Sequence, residues 1–254
     1  MTDHLRPAIS NAIQNLHDDA TDILLPEDLA DLTLRYPANL HLTWKSNGDL
    51  HIGNVLAWMG PASNSHEIRV LEALSHTEIP VPELLTAGTD GNISVMLAHQ
   101  VEGRSIAASL ENIGMRWEIS TIAFAYARML ARIHALDWTK VTPWLADPES
   151  LPEDILDDQV EEEFEWRETQ SAQVPAEWQP FLKRVIDWLE LRRPVEASLC
   201  LCHGWFHPRN IFATGEDITA VVNWQQARVT DASQDLAMLP VWLNDLGLSV
   251  EDVE

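Results

Sequence analysis

The chain of 254 residues carries 40 acidic against 16 basic residues, which gives a formal net charge of −24 at pH 7. Its length fits one large domain or two smaller lobes, and its hydrophobic content of 46% is that of an ordinary globular protein. So negative a surface repels phosphate backbones and excludes nucleic-acid binding by the whole surface. It attracts cationic small molecules, and any phosphate site needs local donors or a metal ion.

Targeting and redox signals are few. No apolar stretch reaches membrane-spanning length and the N-terminus lacks a hydrophobic signal region, so we expect a cytoplasmic protein without a membrane contact. Cys200 and Cys202 are the two cysteines. Two residues apart on a strand, they face the same side, and this spacing favours a place in the core over a disulfide.

The first part of the chain reads as a sheet with a leading helix. Apolar spacing predicts helices over 5–17 and 66–74. Strands are predicted over 40–44 and 93–101, and a tight turn at 46–49 leads into a further strand.

Helical patterns dominate afterwards. The longest covers 115–138 and a second strong one covers 178–193. Between 147 and 168 there are eleven acids and one base, and aromatic residues among them favour a solvated helix face over disorder. Recruitment of a cationic ligand is the alternative interpretation of this segment.

These patterns predict an α+β fold in two parts. Residues 1–98 form a β-rich lobe with a leading helix, and residues 99–254 form a helical lobe. A hinge strand near 98–101 joins the lobes, and a cleft at such a hinge is a usual place for a ligand.

A polar loop, HGWFHPRN at 203–210, is flanked by short strand-like runs, which is a common way to present side chains to a cleft. In protein kinases a loop Asp accepts the proton of the substrate hydroxyl, an Asn five residues later holds magnesium, and an Asp beyond the next hairpin holds it too. Here Trp205 stands five residues before Asn210, and Asn223 ends the next hairpin strand.

These motifs resemble those of the aminoglycoside phosphotransferase family, which includes macrolide and choline kinases. The family motifs run His-Gly-Asp-x-His-x-x-Asn, Ile-Asp-Trp and Gly-Asp-x-x-x-Asp-Leu-Ala, and this chain has HGWFHPRN, VNW and DASQDLA. Upstream, EIRVLEAL, IPVPELL, VEGRSI and LARIHALDW follow the family order, so the resemblance covers about residues 50–240. It implies a protein-kinase-like two-lobe fold, a small-molecule ligand, and ATP and Mg²⁺ as cofactors.

The resemblance also assigns roles in the motif loop. Trp205 stands at the position of the family's catalytic Asp, between His203 and His207. Asn210 and Asn223 stand at the metal-binding positions, and Asn223 replaces an Asp.

On the nucleotide side, Ala57 stands near the family's Lys or Arg that holds the α- and β-phosphates. Glu67 is the expected helix partner of that residue, and Ala98 and Gln100 lie at the hinge beside the cofactor. No Gly-rich phosphate loop is visible near residues 34–48.

We therefore expect weak or absent binding of ATP and Mg²⁺ and impaired phosphotransfer. General-base catalysis contributes about 10²–10⁴-fold, Mg²⁺ prefers charged oxygen ligands, and an indole only donates a hydrogen bond. Two alternatives stay open. One is an active O-phosphotransferase on a small hydroxylated substrate (an antibiotic, a choline-like compound or a sugar) that uses Asp231 with the two asparagines. The other is a non-catalytic ligand- or protein-binding module.

Two local questions accompany these expectations. His203 and His207 are interpreted as hydrogen-bonding residues that shape the loop, with metal ligation as the alternative. Asp231 is expected to brace the motif loop and Asp235 to cap the following helix, and displaced metal ligation is again the alternative.

Overall fold

The computed structural model describes residues 2–25, 37–61, 65–110, 116–171, 174–192, 198–237 and 239–245. Its N-terminal part is a five-stranded antiparallel sheet in the order β1-β2-β3-β5-β4. The strands are β1 (Thr21–Leu24), β2 (Ala38–Ser46), β3 (Asp49–Pro61), β4 (Leu84–Asp90) and β5 (Ile93–His99).

Helix α1 (Thr2–Leu16) covers one face of this sheet. Its apolar stripe packs on the strands in a closed core of Leu5, Ile9, Ile13, Leu40, Leu42, Val55, Ala57 and Val95. Gly88 on β4 lets the helix approach, since a Cβ there would collide with the backbone of α1. Asn11 and Asn15 donate from α1 to the carbonyl groups of Thr89 (2.7 Å) and Ala87 (2.8 Å), which fixes the helix along β4.

The opposite face of the sheet packs against helix α2 (Ser65–Leu74) and the C-terminal part. One continuous core joins Leu56, Trp58, Val70, Met96, Tyr126, Ile133, Phe206 and Trp224. Strand β3 is therefore buried on both faces, with alternate residues in different cores.

The C-terminal part combines helices with two small antiparallel sheets. The helices are α3 (Ile106–Leu110), α4 (Arg116–His134), α5 (Trp138–Val141), α6 (Pro152–Ser171), α7 (Gln179–Glu190), α8 (Ser233–Leu236) and α9 (Leu239–Asp245). Strand β7 (Leu199–Cys202) pairs with β10 (Arg228–Asp231), and β8 (Ile211–Thr214) pairs with β6 (Arg104–Ser105) and β9 (Asp217–Val221).

The α+β class predicted from the sequence is confirmed. The acidic segment forms α6, as its aromatic residues indicated, and the long pattern over 115–138 divides into α4 and α5. Within the described ranges, no helix is both long and apolar enough to cross a membrane. The end of the chain, with Glu254, and the helix stop at Pro194 lie outside the described residues.

Candidate active site

One buried carboxylate holds the motif loop from behind. Asp235 on α8 is 2% exposed. Its Oδ2 accepts a hydrogen bond from the His203 amide (2.9 Å) and its Oδ1 accepts one from the Gly204 amide (2.7 Å). Oδ2 also lies 2.9 Å from Nε2 of His134 at the end of α4. Asp235 therefore fixes the start of the loop through backbone groups.

The expected roles of the two acids were wrong. Asp231 does not brace the loop, because its Oδ1 accepts from the amide of Ser233 (2.9 Å) at the start of α8. Asp235 does the bracing. The reversal follows from the turn at 231–233, since Asp231 ends strand β10 while Asp235 lies in the first turn of α8.

The ring nitrogens of the two loop histidines bond to backbone groups. Nδ1 of His203 accepts from the Trp205 amide (3.1 Å), and Nε2 donates to the Val222 carbonyl (3.0 Å). Nδ1 of His207 accepts from the Arg209 amide (3.0 Å). Burial lowers the pKa of His203 to about 4 against the opposing influence of Asp235 and the Val222 carbonyl, so the ring is neutral at pH 7. These contacts support loop shaping over metal ligation.

The structure brings Trp205, Asn210 and Asn223 together. Nδ2 of Asn210 donates to the Trp205 carbonyl (3.0 Å), and Nδ2 of Asn223 donates to Oδ1 of Asn210 (3.4 Å). Asn223 adopts φ = 69°, a left-handed conformation that asparagine tolerates. This trio contains no carboxylate, and the Asn210 amide is bonded at both ends. The donor set does not fit Mg²⁺, which prefers charged oxygen ligands.

Glu67 on α2 lies in a buried contact with β3. Its Oε1 accepts from the indole Nε1 of Trp58 (3.0 Å) and from the backbone amide of Trp224 (2.7 Å). The residue is 1% exposed. Burial raises the pKa of Glu67 to about 8, although both hydrogen bonds oppose the shift. The carboxyl group is therefore mostly protonated at pH 7.

The structure shows that Ala57 does not face Glu67, the partner that the resemblance implies for this position. Its side chain lies in the core under α1, on the face of β3 that points away from Glu67. Trp58 faces Glu67 instead and donates a hydrogen bond to it from its indole nitrogen. Residues 55–60 are all buried, so the strand shows no apolar–polar alternation that would fix which residues face the cleft.

A cavity of about 360 Å³ lies between the start of β2 and the segment after the hinge. Asn39 lines it on the sheet side, and Arg104, Arg209 and Phe212 line it on the other side. Two arginines therefore line this cavity, in a chain whose net charge is strongly negative.

The predicted hinge residues do not line that cavity. Ala98 is fully buried opposite Leu56 in the sheet, and Gln100 is exposed just after β5. The connection between β1 and β2 covers residues 25–37, which contain no glycine. Residues 34–48, where the resemblance places a phosphate loop, overlap only the end of this connection, and positions 34–36 lie outside the described residues.

An antiparallel sheet lobe, a C-terminal helical part and a braced motif loop between them define a protein of the kinase-like class. Residues 60–251 match the model of the phosphotransferase enzyme family, and the chain belongs to that family. No curated protein matches the chain by sequence.

Solved structures with the same fold include aminoglycoside phosphotransferases. An aminoglycoside-3'-phosphotransferase of type VIII is 18% identical, with a TM-score of 0.60, and the match covers 96% of this chain and 87% of that one. A thermostable mutant of APH(4)-Ia, in a ternary complex with ADP and hygromycin B, is 15% identical with a TM-score of 0.52 over 92% and 78% of the chains. A gentamicin complex of APH(2")-IIa is 12% identical with a TM-score of 0.55 over 90% and 72%.

Proposed function

We propose that this chain is a catalytically impaired member of the phosphotransferase family that keeps the fold and the cleft. The observation that carries the proposal is the motif loop. Its bracing contacts to Asp235 and Val222 are complete, yet positions 205 and 223 hold an indole and an amide. The loop thus has the expected shape without a base for the hydroxyl proton or an anionic ligand for Mg²⁺.

The β3–α2 contact supports the same conclusion. Where a lysine would hold the nucleotide phosphates against the glutamate, the indole of Trp58 donates to a carboxyl group that burial keeps mostly neutral. Neither group carries a positive charge toward a phosphate. Binding of ATP and Mg²⁺ in the manner of an active kinase is therefore weak or absent.

A retained cleft can still bind a small molecule. The solved relatives include complexes with hygromycin B and with gentamicin. The net charge of −24 and the acidic helix α6 favour a cationic ligand here. Arg104 and Arg209 give the cleft a separate, positively charged subsite that can bind an anionic group. We place this binding in the cytoplasm, in a cleft between lobes 1–98 and 99–254.

The test restores the two missing acids. The variant Trp205→Asp with Asn223→Asp is assayed for transfer of the γ-phosphate of ATP to a panel of aminoglycosides, macrolides and amino alcohols. The wild type is expected to transfer no phosphate, and the variant to gain Mg²⁺-dependent transfer or ATP hydrolysis. A control, Trp178→Asp with Asn92→Asp, adds the same two groups at exposed positions away from the loop and should gain nothing.

Other outcomes are informative as well. If the double variant is folded but inactive, Trp58→Lys is added to supply the missing cation. A folded, inactive triple variant would show that these three positions alone do not account for the loss. Mg²⁺-dependent turnover by the wild type, abolished by Asn210→Ala, would overturn the proposal directly.

A further inference from the structure

Three metal-ligand side chains meet behind the motif loop. Cys200 and Cys202 lie on the same face of β7 with their sulfur atoms 3.6 Å apart. Nε2 of His134, at the end of α4, lies 4.0 Å from the sulfur of Cys202. All three ligand atoms lie within 4.8 Å of one another. No spacing motif predicts this cluster, because His134 is more than sixty residues from the cysteines.

The spacing fits a tetrahedral metal ion. With Zn–S bonds of about 2.3 Å and Zn–N bonds of about 2.0–2.1 Å, tetrahedral angles place two sulfur ligands about 3.8 Å apart and a sulfur and a nitrogen about 3.6 Å apart. The observed separations of 3.6 and 4.0 Å differ from these values by a few tenths of an ångström. The third pair, the sulfur of Cys200 and Nε2 of His134, lies within 4.8 Å, so side-chain rotation is needed to bring all three atoms onto one ion.

The surroundings favour a cation. The hydrogen bond to Cys200 and burial raise the pKa of Cys202, and the negative charges of Asp235 and Asp231 act in the same direction on both thiols. Both cysteines are free and buried, while the His134 side chain is 16% exposed and gives a path from solvent. The cluster thus combines soft ligands, local negative potential and access.

We propose that Cys200, Cys202 and His134 form a binding site for Zn²⁺. On binding, both thiols lose their protons to solvent and the sulfurs bind as thiolates, while His134 binds through Nε2 as a neutral imidazole. A water molecule or a neighbouring carboxylate completes the fourth position. This site is separate from the motif-loop asparagines and does not depend on the proposed loss of phosphotransfer.

Zinc binding would act on the loop through Asp235. Nε2 of His134 now bonds to Oδ2 of Asp235, the same oxygen that accepts from the His203 amide. A metal ion on Nε2 of His134 displaces the hydrogen bond between His134 and Asp235. Asp235 then bonds to the loop amides alone or becomes a metal ligand. The occupancy of the site and the position of the motif loop are therefore linked.

A purely structural pair of thiols is the competing explanation. The sulfur of Cys202 lies 3.4 Å from the Asp231 carbonyl, and that of Cys200 lies 3.6 Å from the Thr230 carbonyl. In the metal-free protein both thiols therefore have acceptors. Metal binding itself separates the two explanations.

The experiment titrates the reduced full-length chain with Co²⁺ as a spectroscopic probe, and then with Zn²⁺ in competition with a chromophoric chelator. Because the chain has two cysteines, a thiolate-to-cobalt charge-transfer band can come only from this pair. We expect one ion per chain, a tetrahedral cobalt spectrum, and displacement of Co²⁺ by Zn²⁺.

Variants test the ligands. Cys200→Ser and Cys202→Ser should each weaken the charge-transfer band, and His134→Gln should lower the affinity at least about tenfold, the smallest effect expected when even an outer-shell partner is lost. His99→Gln changes an exposed histidine elsewhere and should change nothing. A wild-type chain that gives no band with equimolar Co²⁺ and does not compete for Zn²⁺ would overturn the proposal, whatever the stability of the variants. Equal affinities of His134→Gln and His99→Gln would also overturn it.

Discussion

The motif loop and the β3–α2 contact are built in different ways. In the loop, backbone amides of His203 and Gly204 bond to Asp235, and side chains at position 205 do not enter these bonds. In the β3–α2 contact, the side chains of Trp58 and Glu67 make the bond themselves. A structure made by the backbone survives a change of side chain, whereas a side-chain pair changes its chemistry with each residue. The brace of the loop is therefore independent of the side chain at position 205, while the charge of the β3–α2 contact depends on Trp58 and Glu67.

Removing the brace of the loop should have the largest effect. Asp235→Ala leaves two buried amides and His134 without their partner, so we expect a loss of about 3–5 kcal/mol in the free energy of unfolding. Urea denaturation measures it. Asp231→Ala removes only the bond to Ser233 and should cost about 1 kcal/mol. Equal losses in the two variants would contradict the bracing role.

A substitution at Gly204 tests how closely the motif loop packs against Gln226. It has φ = +77°, and a Cβ there would collide with the carbonyl of Gln226. Gly204→Ala should cost about 3 kcal/mol, the sum of a left-handed conformation and an overpacked contact. Gly48→Ala is the matched control, since φ is +83° but no atom lies within 4 Å of the added Cβ. It should cost about 1–2 kcal/mol, and thermal or urea unfolding that shows no difference between the two would rule out the close contact.

The β3–α2 contact should appear as a pH dependence. The pKa of Glu67 rises from 4.5 in the unfolded chain to about 8 in the folded one. Between these values the folded state holds a proton that the unfolded state has lost. Its stabilising contribution is therefore complete below pH 4.5 and decreases by up to about 1.4 kcal/mol per pH unit as the pH rises toward 8.

Glu67→Gln imitates the neutral form and should remove this slope while nearly preserving stability at pH 5. Urea denaturation from pH 5 to 9 compares it with the wild type and with Glu72→Gln, an exposed residue of the same helix. If the slope is the same in all three proteins, the buried carboxyl group is ionised across this range and the contact is not neutral.

Much of the architecture could be predicted because its signals are local. The motifs around 203–210 and 222–224 follow the family order, and helical spacing located α1, α2 and α7. The predictions that were wrong depend on the direction in which single side chains point. Ala57 and Trp58 are neighbours on a strand buried on both faces, so the sequence contains no polar face that would orient them.

The other contacts that could not be predicted join residues that are far apart in the sequence. Asp231 and Asp235 are both acids near a strand-to-helix turn, and only the three-dimensional path shows which one reaches the loop. The meeting of His134 with Cys200 and Cys202 requires α4 to pack on β7. Such long-range juxtapositions leave no spacing pattern in a single sequence.

The close contact of α1 with β4 has a consequence for how the chain folds. Helix α1 is synthesised before its partners Ala87 and Thr89, which follow more than seventy residues later in the chain. During synthesis the apolar stripe of α1 is therefore exposed until the strands that it covers have emerged from the ribosome. Contacts between distant parts of a chain slow folding and prolong the exposure of apolar surface. The packing of α1 on β4 therefore prolongs the exposure of apolar surface during synthesis of this chain.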